Sequence, residues 1–147
     1  MKLPVYADTG LLCSLYTPDT KTEEANRWIQ QVSPPLPFTW LHQVEFRNAL
    51  RLRVFRNQIS TAEREGVLKT FLGDLAQGFF VQSNPEINEV LLEAERLGSS
   101  HTETLGCRSL DLLHVAMAQV LGAETFAGFD QRQNQLAARA GLKTLPC

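Results

Sequence analysis

Short apolar, β-compatible runs alternate along this chain with longer segments of helical spacing, and that alternation restricts the fold more than any other feature. Lys2 to Ala7 is the first such run; it ends on Asp8-Thr9-Gly10 and reads as a strand and then a turn. Thr20 to Val32 places Ala25, Trp28, Ile29 and Val32 at helical spacing, and Pro34-Pro35 with Pro37 closes it. Phe38 to Trp40 gives a brief second strand. Leu41 to Phe55 has helical texture, and Ser60-Thr61-Ala62-Glu63 opens another helix with a capping-box pattern, so the middle of the chain is a helical hairpin. Gly78 to Gln82 supplies a third strand, and Asn84-Pro85-Glu86 starts a helix that runs to about Leu97. Ser109 caps a helix from Leu110 to Leu121, ended by Gly122, and Thr125 to Phe129 is a further strand. Gln131 to Ala140 is the last helix, Gly141 its stop, and Leu142 to Leu145 the last strand. Strands alternating with helices predict an α/β fold whose parallel sheet is covered on both faces.

At 147 residues, with 44% hydrophobic and 20% charged, the chain fits one domain, residues 1–147, with a sizeable core of its own. The apolar run from Leu110 to Val120 is interrupted by Asp111 and His114, and no run nears the roughly 18 to 20 residues that cross a bilayer. The expectation is no membrane segment. The first residues hold too few apolar side chains before Asp8 for a signal peptide, which points to the cytoplasm. Cys13, Cys107 and Cys147 are odd in number and far apart, which speaks against a disulfide framework and against a zinc site. The net charge of −2 is low for a protein that holds nucleic acid by neutralising phosphates alone.

In open α/β sheets ligands bind beyond the carboxyl ends of the strands, so acids that directly follow strands form a class apart. Asp8 and Asp130 both sit there, which puts two carboxylates on one sheet edge. Glu45 and Asp111 interrupt apolar stretches, and both are expected in the first turns of their helices. Asp111 lies among Leu110, Leu112 and Leu113, where a lone carboxylate is costly to desolvate unless a cation or donor meets it. Taken singly, each acid has an ordinary reading: Asp8 a turn former, Glu45 solvated, Asp111 a partner of the helix dipole, Asp130 an N-cap. The joint pattern is what points to a site.

Val-Tyr-Ala-Asp-Thr-Gly-Leu-Leu, Val-Glu-Phe-Arg-Asn-Ala-Leu, Ser-Leu-Asp-Leu-Leu-His-Val-Ala-Met-Ala and Phe-Ala-Gly-Phe-Asp resemble, in order and spacing, the motifs of PIN-domain ribonucleases, and VapC-like toxins in particular. The resemblance runs from the first strand to the last helix. It implies a three-layer α/β/α sandwich around a central, mainly parallel sheet of four to five strands. It also implies that Asp8, Glu45, Asp111 and Asp130 are the catalytic acids and hold Mg²⁺ or Mn²⁺. Hard cations of this kind prefer oxygen ligands. One ion lowers the pKa of an attacking water while a second, roughly 4 Å away, stabilises the leaving oxygen. Such ions would turn a local negative patch into a phosphate binder, which answers the objection from net charge. The resemblance further implies an RNA substrate cut to 5′-phosphate and 3′-hydroxyl ends and a cognate antitoxin protein; a homodimer is expected as well, for which an apolar helix such as Leu41 to Phe55 would supply the interface. Where similar sequences often carry Thr or Ser two positions before the fourth acid, this chain has Gly128, so a hydroxyl that tunes the metal ligands is missing.

Other readings have less behind them. Asp8-Thr9-Gly10 matches the aspartic-protease triplet, but that chemistry needs two triplets on all-β lobes. Haloacid-dehalogenase-like phosphatases want a second Asp where Gly10 stands. His114 shares a helical face with Asp111 and either assists the site or is a structural core histidine. Arg47, Arg51, Arg53 and Arg56 form a basic concentration, but Arg47 and Arg51 project away from the face of Glu45. A PIN-like module that binds RNA or protein without cutting, and a metal-dependent phosphatase or DNA nuclease, are the rival functions.

Overall fold

The computed structural model describes residues 4–145. In chain order the elements are β1 (Val5–Ala7), α1 (Thr9–Tyr16), α2 (Thr22–Ile29), β2 (Leu36–Phe38), α3 (Trp40–Phe55), α4 (Thr61–Ala76), β3 (Phe80–Gln82), α5 (Ile87–Leu105), α6 (Ser109–Val120), β4 (Thr125–Ala127), α7 (Gln131–Arg139) and β5 (Lys143–Leu145). They fall into two compact units. The first holds the described residues up to Asp8 and those from Asn84 onward; the second is Thr9–Ser83.

In the first unit β1, β4 and β5 form a parallel sheet in that order, with Val5, Tyr6 and Ala7 opposite Thr125, Phe126 and Ala127. The ladder continues one residue further, because the Asp8 N–H donates to the Ala127 carbonyl at 2.9 Å. Tyr6, Val90, Leu97, Val115, Met117, Phe126 and Leu136 are fully buried and make the core, in which the Tyr6 ring stacks on Phe126 at 5.7 Å. α5 packs on α6, and α7 lies against β4 and β5.

α5 runs to Leu105, well past the end at Leu97 that the sequence predicts. Gly98-Ser99-Ser100 are weak helix formers, but a Cβ at Gly98 would stand 3.2 Å from Leu112 Cδ1, so the glycine lets α6 approach closely. Packing outweighs propensity there. The helix stops at Gly106, whose φ of 70° is the left-handed conformation that glycine adopts without strain.

The second unit is built around aromatic rings. Phe38, Phe46, Phe71 and Phe80 are buried, and Phe71 lies 4.6 Å from Phe38 and 5.0 Å from both Phe46 and Phe80, centroid to centroid. β2 and β3 pair in parallel. The expected hairpin is present as α3 and α4. α4 starts with the Ser60/Glu63 capping box, and α3 starts with the same device built from Thr39 and His42, the ring Nδ1 accepting the Thr39 N–H at 3.0 Å.

Two readings from sequence need correction. All five strands exist and every pair is parallel, but they bond as a set of three and a set of two where one sheet of four to five was expected. At three residues each, they offer little backbone for wider pairing. The turn expected after Asp8 is the start of α1, whose Leu11, Leu12, Cys13 and Ser14 are all buried, so it has no polar stripe to reveal a helical period. Lys2 of the first strand, and Cys147, lie outside the described residues.

Candidate active site

Three of the four acids belong to the first unit. Asp8 follows β1 directly and is 8% exposed. Gly128 follows β4, and a Cβ built there would lie 3.0 Å from both Cγ and Oδ2 of Asp8. The missing side chain thus leaves room that the Asp8 carboxylate uses. Gly128 is held by its own N–H, which donates to the Leu145 carbonyl at 2.7 Å, and by Asn134 Nδ2, which donates to its carbonyl at 2.9 Å.

Asp111 is the third residue of α6 and is 5% exposed. Its Oδ2 accepts the backbone N–H of Arg108 at 3.1 Å and the Arg108 Nε–H at 3.2 Å. Asp130 is the N-cap of α7, where Oδ1 accepts the Gln133 N–H at 3.0 Å and Oδ2 accepts from Arg108 Nη2 at 3.2 Å. One guanidinium therefore bridges two acids. Hydrogen bonding to Asp111, then the charges of Asp111 and Asp130, raise the Arg108 pKa further above its ordinary value. The capping reading of Asp130 holds for one oxygen and leaves the other to the cluster.

Glu45 lies in the second unit, in the second turn of α3 and one turn later than expected. It is half-buried, and its Oε1 accepts the Thr9 hydroxyl at 2.8 Å.

The positive partner that the burial of Asp111 demanded is Arg108, which the sequence reading did not single out. Its signal was an arginine three residues before an acid in an apolar helix start, the spacing that brings side chains together across one turn. His114 proves to be a core residue: its Nδ1 meets the Tyr6 hydroxyl at 2.6 Å. The Cys13 and Cys107 side chains are buried. Burial, then the charge of Asp111, push the Cys107 thiol up.

The basic stretch of α3 divides. Arg53 pairs with Asp19 at 3.0 Å and lines, with Arg56, a cavity of about 640 Å³, while Arg47 and Arg51 border a smaller one beside Arg64.

Among the described residues, no three His, Cys, Asp or Glu side chains converge closely enough to hold an ion as they stand. The donor chemistry nevertheless fits a hard cation. The first unit's acids offer only carboxylate oxygens, two of which already share one positive charge.

No family model matches the chain, and no curated protein matches it in sequence. Solved structures do. FitAcB from Neisseria gonorrhoeae superposes with a TM-score of 0.66 at 16% identity, covering 95% of each chain. Mycobacterium tuberculosis VapC20, a toxin that cleaves the sarcin-ricin loop, superposes with a TM-score of 0.66 at 14% identity, covering 94% of this chain and 95% of that one. Coverage of nearly the whole length on both sides shows that the chain shares the fold of these structures, a PIN-domain fold.

Proposed function

We propose that this chain is a divalent-cation-dependent endoribonuclease, the toxin of a toxin–antitoxin pair, and that Asp8, Glu45, Asp111 and Asp130 are its working acids. The observation that carries the reading is the pair of almost fully buried carboxylates, Asp8 after β1 and Asp111 at the start of α6, on a fold shared with an RNA-cleaving toxin. Buried acids need positive partners, and in a phosphodiesterase the cation that supplies one also acts on the substrate. Asp8, Asp111 and Asp130 would hold Mg²⁺ or Mn²⁺, with Glu45 assigned to the same chemistry by its motif. When bound, the cation polarises the phosphate and raises the acidity of the attacking water. The chain's own part is to fix the acids: Asp8 by the continuing ladder to Ala127, Asp111 by the Arg108 N–H, Asp130 by the α7 cap, Glu45 by Thr9.

The reading includes a single working domain over residues 1–147, a cytoplasmic site of action, a homodimer, and an antitoxin that restrains the nuclease. The test is cleavage of RNA by the purified protein. A sarcin-ricin stem-loop should be cut in Mg²⁺ or Mn²⁺ to give a 5′-phosphate end, and EDTA should abolish the reaction. Binding of RNA without cleavage in any divalent cation would replace this reading with a binding module. Cleavage of DNA or small phosphoesters in preference to RNA would replace it with a different hydrolase.

Gly128 gives a second expectation. Gly128→Ala places a methyl 3.0 Å from the Asp8 carboxyl, and the carboxylate must give way by a few tenths of an ångström. Mn²⁺ affinity by calorimetry should fall about tenfold, as it does when a ligand's support is disturbed. Unchanged affinity would mean that Asp8 is not a ligand or that its position is not critical.

A further inference from the structure

The bridge made by Arg108 is uneven. Its side chain is 70% exposed, whereas that of Asp111 is 7% exposed. The Arg108 backbone N–H alone keeps a hold on Asp111 Oδ2, so the guanidinium can leave for water without undoing the start of α6. The two oxygens it uses, Oδ2 of Asp111 and Oδ2 of Asp130, belong to the very carboxylates that a hard cation requires. A guanidinium and a divalent ion compete for them.

We propose that Arg108 is a two-position side chain: in the metal-free protein it serves as the internal cation of Asp111 and Asp130, and when a divalent ion displaces it, it turns to a phosphate of the RNA. The proposal rests on the nuclease reading. A guanidinium is suited to both positions, because its planar fork of N–H donors matches carboxylate and phosphate alike. The exchange also spares the metal-free protein the mutual repulsion of the two acids, and it releases a phosphate-binding group beside the cation site when the cation arrives. Arg108 is thus a positioning residue for substrate and a competitor of the metal.

Mn²⁺ titration followed by electron paramagnetic resonance, on the wild type and on Arg108→Gln, separates the outcomes. The variant should bind Mn²⁺ roughly three- to tenfold more tightly, because two charge-assisted contacts no longer compete. At saturating Mn²⁺ its KM for RNA should rise about tenfold, with kcat within about threefold. Arg108→Lys, which keeps the charge but not the fork, should fall between the two proteins in Mn²⁺ affinity and gives the same comparison if the glutamine variant folds poorly. Equal or weaker Mn²⁺ binding by Arg108→Gln overturns the competition, and an unchanged KM overturns the phosphate contact. Failure of every protein, wild type included, to bind Mn²⁺ overturns the nuclease reading itself and this inference with it.

Discussion

Asp111→Asn is expected to lower the rate of cation-dependent RNA cleavage by roughly 10³-fold, the size of losing several kcal/mol of transition-state stabilisation at about 1.4 kcal/mol per decade. The substitution keeps shape and removes charge. At 7% exposure the side chain has little water to turn to, so its negative charge counts for more than that of a surface acid. The amide oxygen can still accept the Arg108 N–H that Oδ2 accepts now, and the start of α6 should survive. A thermal melt alongside the cleavage assay separates the two effects. Asp8→Asn should behave in the same way. A cleavage rate within about threefold of wild type for either variant would remove these acids from the chemistry.

Phe71→Ala should be the most damaging single change to stability, with a loss of about 3–5 kcal/mol. Phe71 is 2% exposed and touches Tyr16, Phe38, Phe46 and Phe80, so truncation leaves a void bordered by four rings from four different elements. These neighbours cannot collapse into it without leaving one another. For a chain of this size the loss corresponds to a melting temperature lower by about 10 °C. Tyr16 also has its hydroxyl on Asp74 at 2.5 Å, which adds a directional contact that resists repacking. A loss below about 1 kcal/mol in urea unfolding would show that the cluster relaxes freely.

Asp8, Asp111 and Asp130 could be picked out of the sequence because each stands at a boundary that leaves a local mark: an apolar run ending in an acid, or an acid where a helix begins among leucines. The elements that bear them were legible for the same reason. Glu45 was legible as a residue, and because α3 starts at Trp40, one residue before the expected Leu41, it falls in the second turn; the cap itself was not legible, since it is Thr39 with His42, and a histidine is not the glutamate or glutamine that usually signals such a box. α1 hid because four successive buried residues, Leu11 to Ser14, carry no period, and the far half of α5 hid because its glycine and serines are tolerated only by contact with α6. Arg108 hid for a different reason. An arginine before a helix is commonplace in a sequence, and its meaning arises only when Asp130, 22 residues away, is brought to its second nitrogen.

β1 and β4 are three residues long, and Asp8 reaches Gly128 only because Val5, Tyr6 and Ala7 lie opposite Thr125, Phe126 and Ala127. In a strand, gaining or losing a single residue turns every later side chain to the opposite face. One deletion between Val5 and Asp8 would therefore bury a different side chain in place of Tyr6 and turn the Asp8 carboxylate off the space beside Gly128. Spacing, more than residue type, is what a lineage of such chains would be least free to alter: surface helices can drift in composition, whereas insertions and deletions are barred from these two short runs.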